Sequence, residues 1–381
     1  MILKRTFYPV GHGAFYVERF YDRDKTTPVF TAVFDCGCYN RPLVIACQKR
    51  IIQQIHLAFN KGDKIDVLFI SHLHTDHING VEELLRYCSV EKIVLPHFDE
   101  EEKILLMAEN LMAIDAPAII YGADWISHAF ETVYSSAERI VEVEVESESD
   151  FNNQSRVLSA DVMSGSIPSG TQIRPFNRII WEYVPFNSKI KEQREKKLVN
   201  ALRSSQVFGQ LYSNGSTPDW RQLVDLVKKG HLNDLRTIMD KVFPRTQNEY
   251  SMTVLSRRPE GCHQPCEIIC HKAISGQNRY CTLNCLYMGD FEPKQGIGIM
   301  LKRYDNLRYV GLIQIPHHGS ANNYDDSLYA YPKICILSVD QIDNFGHPDM
   351  NVIKKIQSHS GVIIPVTEVS ITEQVFSYTN L

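Results

Sequence analysis

The sequence predicts an α/β protein whose sheets are covered by helices, and three observations carry that reading. Short β-branched and aromatic runs such as Val29-Phe30-Thr31-Ala32-Val33-Phe34 read as strands. Between them lie stretches with apolar residues at helical spacing, such as Leu43, Cys47, Ile51 and Ile55. After residue 248 the two kinds of segment alternate regularly, which is the pattern of sheets with helices packed on them.

Taken in order, Thr6 to Val10 and Ala14 to Phe20 read as strands around a turn at Gly11-His12-Gly13. The strand at 29–34 closes at Asp35-Cys36-Gly37, and residues 41–60 are expected to be helical. Ile65 to Ile70 is apolar except for Asp66, the mark of a largely buried strand. A helix from Val81 and a strand over Lys92 to Leu95 follow, the strand ending at Pro96-His97. From about 100 to 245 the character changes. Helices are expected at 100–113 and 123–137, and an acidic run over 142–150. A Ser/Asn/Gly-rich linker spans 151–171, a strand-like stretch lies within 172–185, and a charged helical block covers 189–243. This region reads as a cap or insertion, some of whose strands belong to the main sheet, within one domain spanning 1–381. Beyond it, strands are expected at 250–256, 280–288, 309–315, 333–339 and 362–366. Helices are expected at 294–304, 323–330 and 349–357.

Bulk properties narrow the function. Apolar residues make up 44% and charged residues 22%, ordinary for a globular chain with a sizeable core. The net charge of -5 gives no global basic footprint for nucleic acid, although bound metal ions would reverse the field locally. No apolar run reaches the roughly 20 residues of a membrane span, and the first residues lack a secretory core. Ten cysteines in 381 residues are not a disulfide framework. A cytoplasmic protein is expected.

The chemistry is concentrated in Ser71-His72-Leu73-His74-Thr75-Asp76-His77, directly after a predicted buried strand. Side chains two apart in extended chain point the same way, so His72 and His74 face one side. A turn into a helix at Asp76 brings Asp76 and His77 round to a second position. The bland alternative is a polar loop in which Asp76 caps the next helix. Three histidines and an aspartate at this spacing favour a metal site, and imidazole with carboxylate suits zinc, manganese or iron. Asp290, the pair His317-His318, and His347 also stand at or soon after predicted strand ends.

These pieces, with Val10-Gly11-His12-Gly13, Phe34-Asp35-Cys36-Gly37, Met288-Gly289-Asp290, Pro316-His317-His318-Gly319-Ser320 and Gly346-His347-Pro348, resemble the metallo-β-lactamase-fold hydrolases. The chain as a whole resembles the branch with ComEC-type competence hydrolase domains and phosphorylcholine esterases. The resemblance implies an αββα four-layer sandwich with two metals at one sheet edge. It implies that His72, His74 and His318 bind one ion, that Asp76, His77 and His347 bind the other, and that Asp290 bridges them. His317 would orient substrate or protonate a leaving group. The chain departs from the branch at His12, where Gln or another polar residue is usual, and at Ala14, usually acidic. It departs again at His74, which is often acidic in competence domains. The full histidine form leans the metal toward zinc, with manganese second.

The expected chemistry is attack by a hydroxide bridging two ions. A phosphodiesterase or nuclease leads, ahead of a hydrolase of a small phosphoester, lactone or lactam. A partner-binding subunit that keeps the fold and works through 100–245 is the alternative of a different class. Asp35 is expected to brace the metal loop by hydrogen bonds, and Glu292 to sit near the site or be a plain loop carboxylate. His97 reads as structural. Cys262, Cys266, Cys270, Cys281 and Cys285, with His263 and His271 among them, are either a closed zinc site or partly core residues. The basic run from Lys189 to Lys197 is a solvated helix face or a nucleic-acid contact.

Overall fold

The computed structural model describes residues 1–39, 44–112, 119–135, 137–147, 156–178, 180–188, 194–212, 218–243, 251–259, 268–270, 283–331, 333–341, 346–379 and 381. The strands are β1 (Ile2–Phe7), β2 (Gly13–Tyr21), β3 (Phe30–Cys38), β4 (Lys64–Phe69), β5 (Ser89–Pro96), β6 (Ile140–Val143), β7 (Val157–Ser159), β8 (Gly165–Ile167), β9 (Gln172–Arg174), β10 (Glu182–Phe186), β11 (Thr253–Arg257), β12 (Ile268–Cys270), β13 (Cys285–Tyr287), β14 (Leu312–Gln314), β15 (Ile334–Ser338), β16 (Val362–Val366) and β17 (Gln374–Tyr378). The helices are α1 (Val44–Ala58), α2 (Thr75–Ile78), α3 (Val81–Tyr87), α4 (Glu100–Met112), α5 (Ile119–Ser135), α6 (Arg194–Arg203), α7 (Trp220–Leu226), α8 (Leu232–Val242), α9 (Ile297–Arg303) and α10 (Met350–Ser358).

The strands form two mixed sheets, so the chain is an α/β protein. The first runs β12-β17-β1-β2-β3-β4-β5-β6-β8 and the second β16-β15-β14-β13-β11-β10-β9-β7. Within the first, β3 through β6 are parallel; within the second, β13 through β16 are parallel. The period-2 alternation of strand side chains sorts them into separate cores. On β3, Ala32 and Phe34 join the core shared by the two sheets, while Val33 faces the helices. Likewise on β15, Ile334 and Ile336 face the shared core and Cys335 and Leu337 face away. Side chains of α1, α3 and α4 to α8 cover the outer face of the first sheet, and those of α9 and α10 the outer face of the second.

The segment 100–245 is divided among these layers. It gives β6 and β8 to the first sheet and β7, β9 and β10 to the second, and its helices share one core with α1 and α3. Two expectations need correction. The 151–171 linker contains β7 and β8, whose pairing is made by backbone groups that polar side chains do not advertise. The 323–330 helix is replaced by single turns at Ala321–Asn323 and Asp326–Tyr329, because Tyr324 is extended and the Asp325 carboxylate accepts from Ser327 N–H, restarting the turn. The cluster residues Cys262, His263, Cys266, His271 and Cys281 lie outside the described residues. Cys285 is a core residue of β13, with burial pushing its thiol up to about 12.

A buried ion pair ties the sheets together. Arg5 on β1 meets Glu18 on β2 at 2.6 Å, both fully buried. The Glu18 carboxylate also accepts from Tyr183 on β10, Tyr287 on β13 and Ser256 on β11, at 2.8–2.9 Å. Removing one partner leaves an uncompensated charge in the interior, a loss of about 3–5 kcal/mol. Glu18→Ala is therefore expected to lower unfolding free energy by about that amount, measured by urea titration. A change under about 1 kcal/mol, the scale of an exposed pair, would contradict the bridging role.

Candidate metal centre

The candidate residues come together because parallel strands from both sheets end at one edge. His72 follows β4, Asp290 follows β13, and His317 and His318 follow β14. Ligand atoms of His72, His74 and Asp290 lie within 4.8 Å of one another, as do those of His77, Asp290 and His318. His72 Nε2 stands 3.6 Å from Asp290 Oδ2. His77 Nε2 is 3.3 Å from both Asp290 Oδ1 and Asp76 Oδ2.

The outer nitrogen of each ring is fixed by a hydrogen bond, and this decides which nitrogen faces inward. His77 Nδ1 donates to Asp35 Oδ2 at 2.8 Å, and His318 Nδ1 donates to Ser338 O at 2.7 Å. His74 Nε2 donates to Glu109 at 3.2 Å. The Ser71 hydroxyl gives its one proton to Asp35, so at 3.0 Å it accepts from His72 Nδ1. The inward atoms of His72 and His77, both Nε2, are buried with no hydrogen-bond partner among the described residues. Buried polar atoms are rarely left so, and lone pairs converging on carboxylates fit divalent cations. The donor set matches zinc, manganese or iron chemistry.

The scaffold holding these side chains is local. Asp35 adopts a φ of 52° where the register of the β2–β3 pairing shifts. Its two oxygens accept from Ser71 N–H (2.7 Å), Ser71 hydroxyl and His77. Asn110 on α4 accepts from the backbone and hydroxyl of Thr75 and donates to Leu73 O, so the helical segment clamps the motif. Beside it, Glu109 faces His74 with one oxygen and Arg194 of α6 with the other, at 3.2 Å each. Gln314 accepts from the N–H of Met288 and Gly289 and donates to Gly289 O, setting the Asp290 turn. Asn323 donates to Asp290 O and Phe291 O, which leaves its carbonyl to accept from His317 Nδ1 at 2.9 Å. Asn110, Glu109 and Gln314 carried no sequence signal beyond being polar residues in apolar surroundings, and nothing marks Asn323 out within its polar stretch.

Charge follows from the same geometry. Burial would raise the carboxyl of Asp76, but His77 and His318 hold it well below its usual range. Asp290 is likewise held down, against burial, by His317, His77 and His72. Burial lowers His72, aided by His77. Burial would lower His77 too, yet Asp76, Asp35 and Asp290 raise it well above normal; His318 is raised against burial by Asp76 and Asp290.

Placement differs from the sequence expectation in parts. His318 groups with Asp76 and His77 instead of His72 and His74, because φ values of 46° and 52° at His317 and His318 turn the second ring toward Asp76 Oδ2, 3.2 Å away. His317 Nε2 stands 3.8 Å from Asp290 Oδ2. The His347 ring centroid is 5.3 Å from that of His317, and among the described residues no close group of ligand atoms includes it. The Glu292 carboxylate is buried, 4.0 Å from Lys294 Nζ. His97 is exposed and bonded to Glu142. Of the basic run, 189–193 lie outside the described residues, and Arg194 is buried in α6. A cavity of about 600 Å³ beside Phe30, Lys64 and Phe176 opens at the amino end of β4, remote from the histidines.

Residues 32–110 match the family model described as Anti-Pycsar protein Apyc1. The matched stretch runs from β3 into α4 and so includes Asp35, the whole histidine motif, Glu109 and Asn110. No curated protein matches the chain.

Two outcomes follow. Below the raised values of His77 and His318 their inward nitrogens carry protons that a cation must displace. Metal affinity should therefore fall as pH is lowered from about 8 to about 5.5, with proton release on binding. Titration calorimetry in buffers of different ionisation heat reads both; pH-independent affinity would contradict it. Asp35→Asn keeps an acceptor for Ser71 N–H but loses the one for His77, and should weaken metal binding by about 10–100-fold with the fold intact by circular dichroism. Unchanged binding would remove Asp35 from the site.

Proposed function

We propose that the chain is a metallo-β-lactamase-fold hydrolase that holds two divalent ions, zinc ahead of manganese, and cleaves phosphodiesters. The observation that carries this reading is the convergence of the inward ring nitrogens of His72, His74, His77 and His318 on Asp76 and Asp290, each ring fixed from behind. The two sheets packed face to face, with helices outside each, agree with the αββα order of that fold. The resemblance to competence hydrolase domains favours phosphodiesters, nucleic acid among them, over lactones and lactams. The family name matched over 32–110 adds a setting, action against the Pycsar system. Among the described residues, no helix is long and apolar enough to cross a membrane. The unbridged thiols of Cys36, Cys38, Cys88, Cys285 and Cys335 are in keeping with a reducing, cytoplasmic site of action.

When bound, two divalent ions supply an activated water at neutral pH and neutralise charge on the substrate oxygens. His72, His74 and Asp290 would hold one, and Asp76, His77 and His318 the other, with Asp290 between them. Asp35, Ser71, Glu109 and the Ser338 carbonyl keep the rings aimed without reorganisation during the reaction. His317, about a quarter exposed at the rim, is tethered through Nδ1 and presents Nε2 beside Asp290. There it contacts the leaving oxygen and gives it a proton. The intact set of Asp76, His77 and Asp290 disfavours a subunit that only binds partners.

Purified protein should hydrolyse at least one member of a panel of single- and double-stranded DNA, RNA, cyclic mononucleotides and a chromogenic phosphodiester, with zinc or manganese. Asp76→Ala and His77→Ala should abolish turnover while the fold survives, and mass spectrometry should find about two ions per wild-type chain. Undiminished turnover in either variant, or no metal at all, would overturn the assignment.

A further inference from the structure

The Gly11-His12-Gly13 turn between β1 and β2 reaches the site beside Asp76 and His318. We propose that His12 is a further ligand of the ion held by Asp76 and His318, an assignment that rests on the metal reading above. A ligand atom of His12 lies within 4.8 Å of those of both Asp76 and His318. The His12 ring packs against that of His318, tilted by 32° with centroids 3.7 Å apart, and lies 6.2 Å from that of His347. It is buried, so it belongs to the floor of the site and not to its rim.

The turn is built for this approach. Gly11 has a φ of 77°, and a Cβ there would meet Asp340 Oδ1 at 2.0 Å. Gly13 has a φ of 146°, and a Cβ would meet Gly37 O at 2.4 Å and Asp76 O at 2.8 Å. Only glycine brings the backbone so near Asp76 at these angles. The turn is then locked: Asp340 accepts from His12 N–H at 3.2 Å and pairs with Arg50, which donates to Val10 O at 3.0 Å. Asp340 itself stands two residues beyond Ser338, whose carbonyl fixes His318. His12 and His318 are thus positioned by the same segment after β15. Two imidazoles packed at this distance, with Asp76 Oδ2 3.2 Å from His318 Nε2, form a nitrogen-rich pocket. His12 would add one nitrogen donor to the residues that would hold that ion. An imidazole at this position suits zinc better than the amide of the related branch, since nitrogen is the softer donor.

The test is zinc and cobalt titration of wild type, His12→Ala, His12→Gln and His77→Ala, with metal content and the cobalt visible spectrum as readouts. The expected result is two ions in wild type, one of them bound at least about tenfold more weakly in both His12 variants, and an altered cobalt spectrum. His12→Gln keeps a polar side chain of similar reach and decides the matter if His12→Ala does not fold. Two ions at wild-type affinity with an unchanged spectrum in His12→Gln, while His77→Ala loses an ion, would overturn the His12 assignment and leave the hydrolase reading standing. Failure of wild type to bind either metal would overturn both.

Discussion

Asp35 holds three groups at once, and the geometry of the centre depends on that grip. One carboxylate oxygen takes the Ser71 N–H, and the other takes the Ser71 hydroxyl and the His77 ring. Ser71 then fixes His72, so one side chain aligns both ends of the histidine motif. The left-handed backbone at Asp35 is unusual for a residue other than glycine, but aspartate tolerates it better than most. Together with the clamp that Asn110 places on Thr75 and Leu73, this node fixes the His72 and His77 rings.

The two sheets supply what the node cannot. Asp290 and His318 come from the second sheet, more than 200 residues further along the chain. They reach the motif because β13 and β14 end at the same edge as β4. Met252 N–H donates to Ser71 O, and the Arg5–Glu18 network joins β1 and β2 to β10, β11 and β13. The helical segment is part of the same construction. Asn110 and Glu109 on α4 touch Leu73, His74 and Thr75, so α4 forms a wall of the centre.

Much of this was legible in the sequence, for identifiable reasons. A buried strand followed by closely spaced histidines is a local pattern, and β4 and the motif stand where it puts them. The later strands β15 and β16 show the same clarity because both are apolar runs between polar turns. Asp35 was expected to brace the loop, and its hydrogen bonds have that form. Illegible were the contacts that join distant segments. Gln314 and Asn323 set the Asp290 turn through backbone amides and carbonyls, which leave no spacing to detect. β7 and β8 pair through main-chain groups in a Ser/Gly-rich stretch. The placement of His318 beside Asp76 depends on two consecutive left-handed residues, which a list of residue types does not reveal. His12 was visible only as a departure from a related pattern.

The central claim is that these rings and carboxylates form a cage for two ions. Anomalous diffraction at the zinc edge from crystals grown with zinc tests it most directly. The account predicts two peaks about 3.5–4 Å apart, one among His72, His74 and Asp290 and the other among Asp76, His77 and His318. A cluster without anomalous density, or zinc bound only elsewhere on the chain, would contradict it.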